Sequence, residues 1–472
     1  MPPGALRPIP TMPHNPARRT FLKTSSLAAG AALIPAGLSA AGAAAADAAP
    51  AHTAPAKKKL RLASVGIGRG IGGYDLNQLS GHPEVQVVAV CDVDQRTREA
   101  RCKQHGAKGY ADYRHMLREM AGEIDAVHIA TPDHMHAPIA LLAMSLGKAL
   151  YCQKPLANTV WEVRAMSKMA AEKKLITMMG NQKHAEADPC TAIAWIQAGV
   201  IGKVKSVHSR IAGKDWGGVR AEVAPTPAPE WMDWDRYLGV APLQPWLENE
   251  FHTMNWRNRV GFGGGTQSDM GCHVFDVPFR ALELTAPKTV VALGPKPELN
   301  SFAKDSHTRY VFPGTKFTVG DEVEFNYYCG GIDIPKELLA GIASPAMGAV
   351  FVGEKGILCC PHANQGAFRV VNLDGSDMKD LPARQPGLNG GNHWHNFINA
   401  VLKGERTTDP IDGLGGLNSE SAQMGILVNH WPSTVFHWDY ATCQFTGDGP
   451  EVAAINQLVK PRYRDGWTAP GI

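Results

Sequence analysis

Apolar runs and amphipathic stretches alternate along residues 60–179. Short runs rich in Val, Ile, Leu and Ala predict buried strands, and the stretches between them predict helices that cross from one parallel strand to the next. The predicted strands are Leu60–Val65, Val85–Cys91, Ala126–Ala130, Ala149–Cys152 and Ile176–Met179. The predicted helices are Gln95–His105, Tyr113–Met120, Pro138–Leu146 and Val160–Lys173. This alternation predicts a doubly wound α/β domain of the Rossmann type over residues 57–182.

A capping box marks the start of the fourth of these helices. Thr159 stands three residues before Glu162, the spacing at which a hydroxyl and a carboxyl group satisfy the free amides of a helix start. The helix is therefore expected to begin just beyond Lys154.

The pattern changes from about Asn181 onward. A helix near Cys190–Ala198 and a strand over Val204–Ala212 precede a segment rich in Pro and Trp, residues 225–245. Further predicted strands are Val290–Leu293, Phe317–Tyr328, Ala349–Val352 and Phe368–Leu373. Runs of strands with few helices predict an α+β domain over residues 183–472, built on a large, mostly antiparallel sheet.

The first 56 residues fit neither domain. Residues 17–23 read Ala-Arg-Arg-Thr-Phe-Leu-Lys, and a weakly apolar stretch rich in Ala and Gly follows, with several Ala-x-Ala cleavage points. This pattern predicts a twin-arginine signal that exports the protein to the periplasm or another site outside the cytoplasm, although Ala17 replaces the usual Ser or Thr. Ala and Gly drive membrane insertion weakly, which disfavours a permanent anchor.

Composition narrows the class of protein. Of 472 residues, 44% are hydrophobic and 19% are charged, and the formal net charge is +3. The lysines and arginines are spread along the chain, so nucleic acid is not an expected partner. The nine cysteines form no Cys-x-x-Cys pair, and no group of residues has the spacing of metal ligands. We therefore expect a soluble enzyme without a metal.

A glycine-rich segment, residues 66–73, follows the first predicted strand. Glycines at such a turn let backbone amides approach a pyrophosphate at the start of a helix. One register of the dinucleotide fingerprint begins at Gly66 and Gly68 but has Ile71 in place of its third glycine. The other is complete at Gly68, Gly70 and Gly73. Both registers predict a dinucleotide site.

Asp92 directly follows the second predicted strand. A carboxylate at this position accepts hydrogen bonds from a ribose diol and repels the 2′-phosphate of NADP, so NAD is the favoured cofactor. Arg96 lies close enough in sequence to offset that repulsion, and NADP is not excluded.

The strand that ends at Ala130 continues into Thr-Pro-Asp-His-Met-His, residues 131–136. Open α/β sheets bind ligands at the carboxyl ends of their strands, which makes Thr131 and His136 predicted walls of the cofactor site. For His136, a helix-capping or packing role is an equal alternative.

The next strand ends in Gln153-Lys154-Pro155. The residue before a proline is biased toward extended geometry, here with a cis bond as an option, so the lysine side chain can be held in place. Beside a nicotinamide, its ammonium group would polarise a hydroxyl or carbonyl oxygen as hydride moves.

A fourth candidate element follows a triple glycine at residues 263–265. If the chain is helical from Ser268, then Asp269, His273 and Asp276 share one face, and Pro278 kinks or ends the helix soon after. A histidine can take a hydroxyl proton near neutral pH, and a carboxylate one turn away can orient it or hold the substrate.

With these elements in this order, the chain from Leu60 to Trp467 resembles the family of glucose-fructose oxidoreductase, inositol dehydrogenase and rhizopine-catabolism proteins (Gfo/Idh/MocA). The motifs that carry the resemblance are the glycine loop, Ala130-Thr131-Pro132, Gln153-Lys154-Pro155, Gly180-Asn181-Gln182, Asn255-Trp256-Arg257, Asp269-x-Gly271-x-His273, Asn392 to Phe397 and Pro461-Arg462-Tyr463-Arg464.

The resemblance implies hydride exchange between a carbohydrate carbon and a nicotinamide cofactor. His273 would be the acid/base, while Lys154 and Asp269 position and polarise the reacting oxygen. The predicted cofactor-binding residues are Gly66, Gly68, Arg69, Gly70, Ile71, Asp92, Arg96, Thr131, His136, Gln153, Lys154, Asn181, Trp256 and Arg257. The predicted substrate-binding residues are Gln182, His184, Asp269 and His273.

The chain departs from the family pattern at Gln153, where the family usually has Glu. Gln keeps the capacity for hydrogen bonds but removes a negative charge next to Lys154, so the electrostatic environment of Lys154 is left open.

Export constrains the reaction, because no NAD pool exists outside the cytoplasm for exchange. We therefore expect a tightly bound cofactor that is regenerated within the catalytic cycle. The broad sheet predicted for the second domain would suit pairing of subunits, so a homo-oligomer is expected as well. One cycle that satisfies this is the oxidation of one sugar with reduction of another. The other is glycoside cleavage through transient oxidation, elimination and re-reduction, which needs no pair of catalytic carboxylates. A sugar-binding relative without activity is a third alternative, which the presence of Lys154 and His273 disfavours.

Overall fold

The computed structural model describes residues 59–213, 216–218, 220, 222–298 and 300–472. The predicted export signal and linker, residues 1–56, lie outside these residues. Within the described part, every helix is too short or too polar to cross a bilayer.

The first sheet has six parallel strands in the order β3-β2-β1-β4-β5-β6. The strands are β1 (Leu60–Val65), β2 (Val85–Cys91), β3 (Lys108–Tyr110), β4 (Ala126–Ile129), β5 (Ala149–Gln153) and β6 (Thr177–Gly180). The strand order reverses between β1 and β4, the position at which doubly wound sheets bind nucleotides. The predicted Rossmann fold is confirmed, and β3 is an additional strand.

Five helices connect these strands: α1 (Ile71–Ser80), α2 (Gln95–His105), α3 (Tyr113–Glu119), α4 (His136–Ser145) and α5 (Val160–Glu172). The Thr159 hydroxyl accepts a hydrogen bond from the Glu162 amide, as the capping box predicts. Helix α4 begins two residues before the predicted Pro138. A residue in the first turn of a helix has no helical partner for its amide N–H, so a proline can stand anywhere in that turn. Pro138 therefore lies in the first turn of α4 without being its first residue.

The second sheet has nine strands in the order β15-β14-β13-β7-β12-β11-β10-β16-β17. All neighbours are antiparallel except β7 and β12. Its strands are β7 (Val204–Ile211), β10 (Thr289–Ala292), β11 (Ser306–Pro313), β12 (Glu322–Cys329), β13 (Met347–Gly353), β14 (Gly356–Pro361), β15 (Arg369–Asn372), β16 (Phe436–Asp439) and β17 (Gln444–Thr446), and a separate short pair is formed by β8 (Pro225–Thr226) and β9 (Trp246–Leu247). This confirms the mostly antiparallel second sheet.

The strand predicted from Phe317 begins only at Glu322. The Thr318 hydroxyl accepts a hydrogen bond from the Thr315 amide and donates one to the Thr315 carbonyl, which closes a local turn over these residues. A Thr side chain that bonds to the backbone of a nearby residue competes with strand pairing, and the apolar pattern alone does not reveal this.

The remaining helices are α6 (Ala187–Gln197), α7 (Trp234–Leu238), α8 (Gly265–Leu282), α9 (His393–Lys403), α10 (Leu414–Val428) and α11 (Pro450–Val459). Helix α8 continues past Pro278 to Leu282, so of the two expected effects the proline does not end the helix. Pro278 leaves the Val274 carbonyl without its helical donor, and the Ser209 hydroxyl of β7 donates to that oxygen at 2.9 Å instead. Helix α6 begins three residues before the predicted Cys190, because Asp188 and Pro189 occupy its first turn.

Helix α9 packs against the first sheet although it lies far along the chain. Trp394, Phe397 and Ile398 are buried in one cluster with β1 and β2 side chains such as Leu62 and Val87. The core of the nucleotide-binding half thus includes residues from beyond position 390.

Candidate active site

An open cleft of about 1220 Å³ lies along the carboxyl ends of the first sheet. Most of the predicted cofactor residues line it: Gly66, Gly68, Arg69, Gly70, Ile71, Asp92, Thr131, His136, Gln153, Lys154, Trp256 and Arg257. The sequence did not single out other lining residues, among them Asp112, Tyr113, Arg236 and Trp467. The cleft therefore follows the strand ends as predicted, and it also has lining residues that the sequence did not mark as site residues.

Glycines explain the tight turn at the start of the cleft. Gly66 has φ +75°, and a side chain there would meet the Thr131 amide nitrogen at 2.6 Å. A side chain at Gly72 would lie 2.0 Å from the Gly66 carbonyl oxygen. A side chain at Gly73 would likewise meet the Gly68 carbonyl oxygen at 2.7 Å, and Gly70 has φ +98°, so glycines of both registers shape the turn.

Asp92 lies at the cleft beside this turn. Its carboxylate accepts hydrogen bonds from the backbone amides of Ile67 and Asp94, both at 2.9 Å. Burial raises the pKa of Asp92 to about 6, although the two amide hydrogen bonds oppose the shift. Arg96 does not line the cleft: its guanidinium pairs with Asp94 at 2.9 Å and stacks over Trp231. The predicted offset of the Asp92 charge by Arg96 therefore has no support in the structure.

Two buried oxygens in the cleft wall have no hydrogen-bond partner among the described residues. They are the Thr131 hydroxyl oxygen and the Gln153 side-chain carbonyl oxygen. A buried polar atom normally has a partner, so a bound molecule with polar groups fits here. Together with the glycine turn, these oxygens fit a dinucleotide.

Lys154 stands at the end of β5, before a cis peptide bond to Pro155. Its ammonium group donates to the backbone oxygen of Asp269 at 2.6 Å and to the Asp269 carboxylate at 3.1 Å. An ammonium group has three N–H donors, so one remains after these two contacts. The lysine is 8% exposed, which means that its charge is fixed at the cleft rather than solvated.

The Asp269 carboxylate is held by three donors. Besides Lys154, the Arg257 Nε donates to Oδ1 and the Trp216 Nε1 donates to Oδ2, each at 2.9 Å. Burial alone would raise the pKa of Asp269, but the charges and hydrogen bonds of Lys154 and Arg257 outweigh it and hold the pKa well below its usual value. Asp269 is therefore a permanent anion that orients the lysine.

His273 is oriented by Asn181. The two side chains meet at 2.6 Å between Nδ1 and Oδ1, while the Asn181 amide nitrogen donates to the Cys272 carbonyl. Since the amide oxygen can only accept, His273 carries its proton on Nδ1 and has its lone pair on Nε2. Burial, with the nearby Lys154 charge and His362, lowers the pKa of His273 well below its usual value. The residue is a neutral imidazole with a free acceptor nitrogen.

The acids that share the helix face with His273 have other partners. Asp269 contacts Lys154, Arg257 and Trp216, and Asp276 accepts from His184 at 2.7 Å. Of the two roles expected for a carboxylate one turn away, orienting His273 falls to the Asn181 amide instead, and holding the substrate stays a prediction.

His273 lines a second, smaller cavity rather than the main cleft. Predicted residues Asn181 and His184 line the same cavity, whereas Gln182 lines neither of the two. The His362 ring lies 4.6 Å from the His273 ring, centroid to centroid. The structure thus brings Lys154 and Asp269 together at the cleft. The histidines His184, His273 and His362 line the neighbouring small cavity.

Asp133 is a site residue that sequence reasoning missed. Its carboxylate accepts a hydrogen bond from the Ser268 hydroxyl at 2.8 Å, and it lines the cleft near Lys154. Burial raises its pKa to about 7, against the opposing charge of Arg257. Its place three residues beyond a strand end was the signal that could have identified it. Trp216, the third donor to Asp269, lies in a segment without any such pattern.

His136 holds the backbone around Lys154. Its Nδ1 meets the Pro155 carbonyl oxygen at 2.7 Å and its Nε2 meets the Thr131 carbonyl oxygen at 2.8 Å. The ring therefore connects the ends of β4 and β5, which supports a positioning role over direct contact with a ligand.

The family models match two consecutive parts of the chain. Residues 60–181 match an oxidoreductase family with an NAD-binding Rossmann fold, and residues 192–291 match the C-terminal α/β domain of the same oxidoreductase family. The first domain is thus an NAD-binding Rossmann domain.

Curated relatives match over part of their length. A levoglucosan dehydrogenase from Pseudarthrobacter phenanthrenivorans is 27% identical over 33% of this chain and 32% of its own length. An inositol 2-dehydrogenase from Rhizobium meliloti is 32% identical over 31% of this chain and 44% of its own length. The chain spans less than half of either relative.

Solved structures match over most of the chain. An inositol dehydrogenase homologue from Azotobacter vinelandii in complex with NAD+ has a TM-score of 0.58 at 17% identity, covering 81% of this chain and 98% of its own. An aldose-aldose oxidoreductase from Caulobacter crescentus has a TM-score of 0.56 at 18% identity, covering 80% and 100%. At these identities the likeness establishes the two-domain fold.

Proposed function

We propose that this chain, which matches the two domain models of the Gfo/Idh/MocA oxidoreductase family over residues 60–181 and 192–291, oxidises a hydroxyl group of a sugar or polyol with NAD bound in the cleft. The observation that carries this proposal is the Lys154 ammonium group, fixed on Asp269 at the end of the cleft with one N–H donor left. His273 lies one helical turn from Asp269 and is a neutral base.

Each of these side chains has a distinct task. Bound nicotinamide supplies the acceptor for the hydride that leaves the substrate carbon. The remaining Lys154 donor binds the reacting oxygen and stabilises its negative charge as the proton departs. His273 Nε2 takes that proton, and Asn181 keeps this nitrogen free by accepting from Nδ1. Asp269, Arg257 and Trp216 keep the ammonium group in place, so the lysine does not have to reorganise during the reaction.

The substrate class is supported by the relatives. The two named above are a levoglucosan dehydrogenase and an inositol 2-dehydrogenase, which are enzymes for an anhydrosugar and a cyclic polyol. Polar side chains line the small cavity at His273, among them Asn181 and His362, and such groups suit the recognition of a polyhydroxylated ring.

The export signal predicted at residues 1–56 extends the proposal to a closed redox cycle. Since an exported enzyme cannot exchange its cofactor with a cytoplasmic pool, NAD stays bound and is reoxidised by a second substrate. The glycine turn at Gly66 and the two buried oxygens of Thr131 and Gln153 would hold the bound NAD.

The test is to purify the mature protein and to record its absorbance for bound nicotinamide. Candidate sugars, polyols and glycosides are then added without external cofactor. We expect a persistent rise in reduced nicotinamide with one substrate and its loss when a second, oxidised sugar is added. Release of an aglycone from a glycoside would instead assign the cycle of oxidation, elimination and re-reduction. Protein that binds neither added nor endogenous nicotinamide would overturn the proposal.

A further inference from the structure

Three buried side chains from distant parts of the chain converge behind His273. His184 comes from the short 3-10 helix Gln182–Ala185, Asp276 from α8, and Asp409 from the loop before α10. His184 Nδ1 lies 2.7 Å from Asp276 Oδ1 and 3.9 Å from Asp409 Oδ2. One ligand atom from each residue lies within 4.8 Å of the other two. This histidine and two aspartates, His184, Asp276 and Asp409, form the HDD cluster.

The hydrogen bonds of the HDD cluster are incomplete. Asp276 accepts from His184 and from Arg280, but both carboxylate oxygens of Asp409 are buried and have no donor among the described residues. The Asp409 side chain is fully buried. An ionised carboxylate in such a place is strongly unfavourable unless a cation compensates it.

The charges near the HDD cluster do not supply that cation. Arg280 donates to Asp276 at 3.2 Å and to the His184 backbone oxygen at 2.8 Å, so its charge is placed against the first carboxylate. A protonated His184 would not complete the set either. Its Nδ1 already faces Asp276, and its Nε2 is buried without a partner in the described structure. Asp409 therefore has no hydrogen-bond donor among the described residues in either protonation state, and a protonated His184 would face it only at 3.9 Å.

We propose that the HDD cluster binds one divalent first-row transition-metal ion, such as Zn²⁺ or Mn²⁺. An imidazole and two carboxylates are a ligand set that such ions accept, with metal–ligand distances of about 2.0–2.2 Å. Ligand atoms separated by 2.7 and 3.9 Å can reach a common ion at that distance, provided that His184 carries its proton on Nε2 so that the Nδ1 lone pair faces the ion. The ion supplies the positive charge that Asp409 lacks.

The ion has a structural role next to the proposed base. Asp276 follows His273 by three residues on α8, and His184 follows Asn181, the partner of His273, by three residues. A metal bound to both would join α8 to the segment that orients the His273 ring. This inference does not depend on the proposed reaction, because occupancy of the ion is measurable without turnover.

The test measures metal content and stability of the full-length protein, purified without a polyhistidine tag. Inductively coupled plasma mass spectrometry should find about one transition-metal ion per chain. Removal by a chelator should lower the thermal midpoint, and addition of ZnCl2 or MnCl2 alone should restore it, because an ion that binds only the folded state stabilises that state.

Two variants locate the site. Asp409→Asn should lose the ion and the thermal response to added metal. Glu420→Gln, which changes a buried acid paired with Arg164 elsewhere in the fold, should keep both. The proposal is overturned if wild-type protein neither contains nor responds to either metal ion, or if Asp409→Asn retains the full content. A wild-type protein without metal and a more stable Asp409→Asn variant would identify Asp409 as a protonated acid instead.

Discussion

Gln153 donates its amide nitrogen to the Asp75 carboxylate at 2.5 Å, and both side chains are buried. Asp75 also accepts from Trp394 at 2.8 Å and lies 3.3 Å from His128 Nε2. The carboxylate that the family usually has at position 153 is thus supplied by Asp75 on α1, the hydrogen-bond partner of Gln153. Glutamine is the side chain that can donate to this aspartate, which gives a physical reason for the departure from the family pattern.

Replacing Gln153 by Glu should therefore be unfavourable in this chain, although Glu is usual in the family. Two carboxylates would face each other in a buried site, and we expect a loss of about 3 kcal/mol in the free energy of unfolding, measured by urea denaturation. Adding Asp75→Asn to Gln153→Glu should recover much of that loss, since one acid then faces one amide again. Additive effects of the two changes would refute the coupling.

Replacing Lys154 by Met should reduce kcat by at least about 100-fold, because the donor to the reacting oxygen is lost. Bound nicotinamide, measured by its absorbance, should remain, since the glycine turn and the cleft walls are unchanged. The control is Lys168→Met, which removes an exposed lysine on α5 and should leave turnover as it is. Turnover by the Lys154 variant at the wild-type rate would remove this residue from the proposed mechanism.

The acid limb of the rate profile should lie below pH 6.5. Burial, followed by the Lys154 charge and His273's neighbour His362, lowers the pKa of His273, and a base works only above its pKa. Asn181→Asp places a carboxylate against Nδ1, favours the protonated ring and should move the acid limb of kcat upward by about one pH unit or more.

The control for this shift is Asn429→Asp, a buried asparagine that bonds to the Gly425 carbonyl and does not touch His273. Its acid limb should coincide with that of the wild type. If Asn181→Asp also leaves the profile unmoved, then His273 is not the group that titrates.

Replacing Arg18 and Arg19 by Lys should keep the protein in the cytoplasm, because the twin-arginine pathway reads the arginine pair. Cell fractionation followed by immunoblotting measures the exported share. Arg7→Lys, outside the pair, is the matched control and should be exported normally. Export of the paired variant at the control level would contradict the signal proposed here.

The fold of the first domain follows from local patterns, as its strands and capping box show. Five of the parallel strands were predicted within one or two residues, because buried parallel strands are continuous apolar runs. The second sheet was harder. In Ser306–Pro313 the buried positions include the polar residues Ser306 and Thr308, so the sequence shows no clear apolar pattern there, and the strand ends in proline. The course of α8 past Pro278 depends on Ser209, a residue from a different element.

The site was predictable where residues stand at strand ends, as Lys154 does. Partners brought together by tertiary folding were not. Asn181 is distant in sequence from His273, and Asp75 is 78 residues before Gln153. Such pairs are set by tertiary packing, of α8 against β7 and β13 of the second sheet and of α1 against β2 of the first, and no spacing along the chain encodes them.

Helix α9, which seals the apolar side of β1 and β2, bears on how the protein is made. A growing chain that has emerged only to residue 182 has all six strands of its first sheet but lacks Trp394, Phe397 and Ile398. The apolar side of β1 and β2 stays exposed until the ribosome has added more than two hundred further residues, counted from Gly180 to the start of α9 at His393. During synthesis the nascent first domain should therefore bind chaperones through this exposed apolar surface. A fragment truncated at the predicted domain boundary should be insoluble.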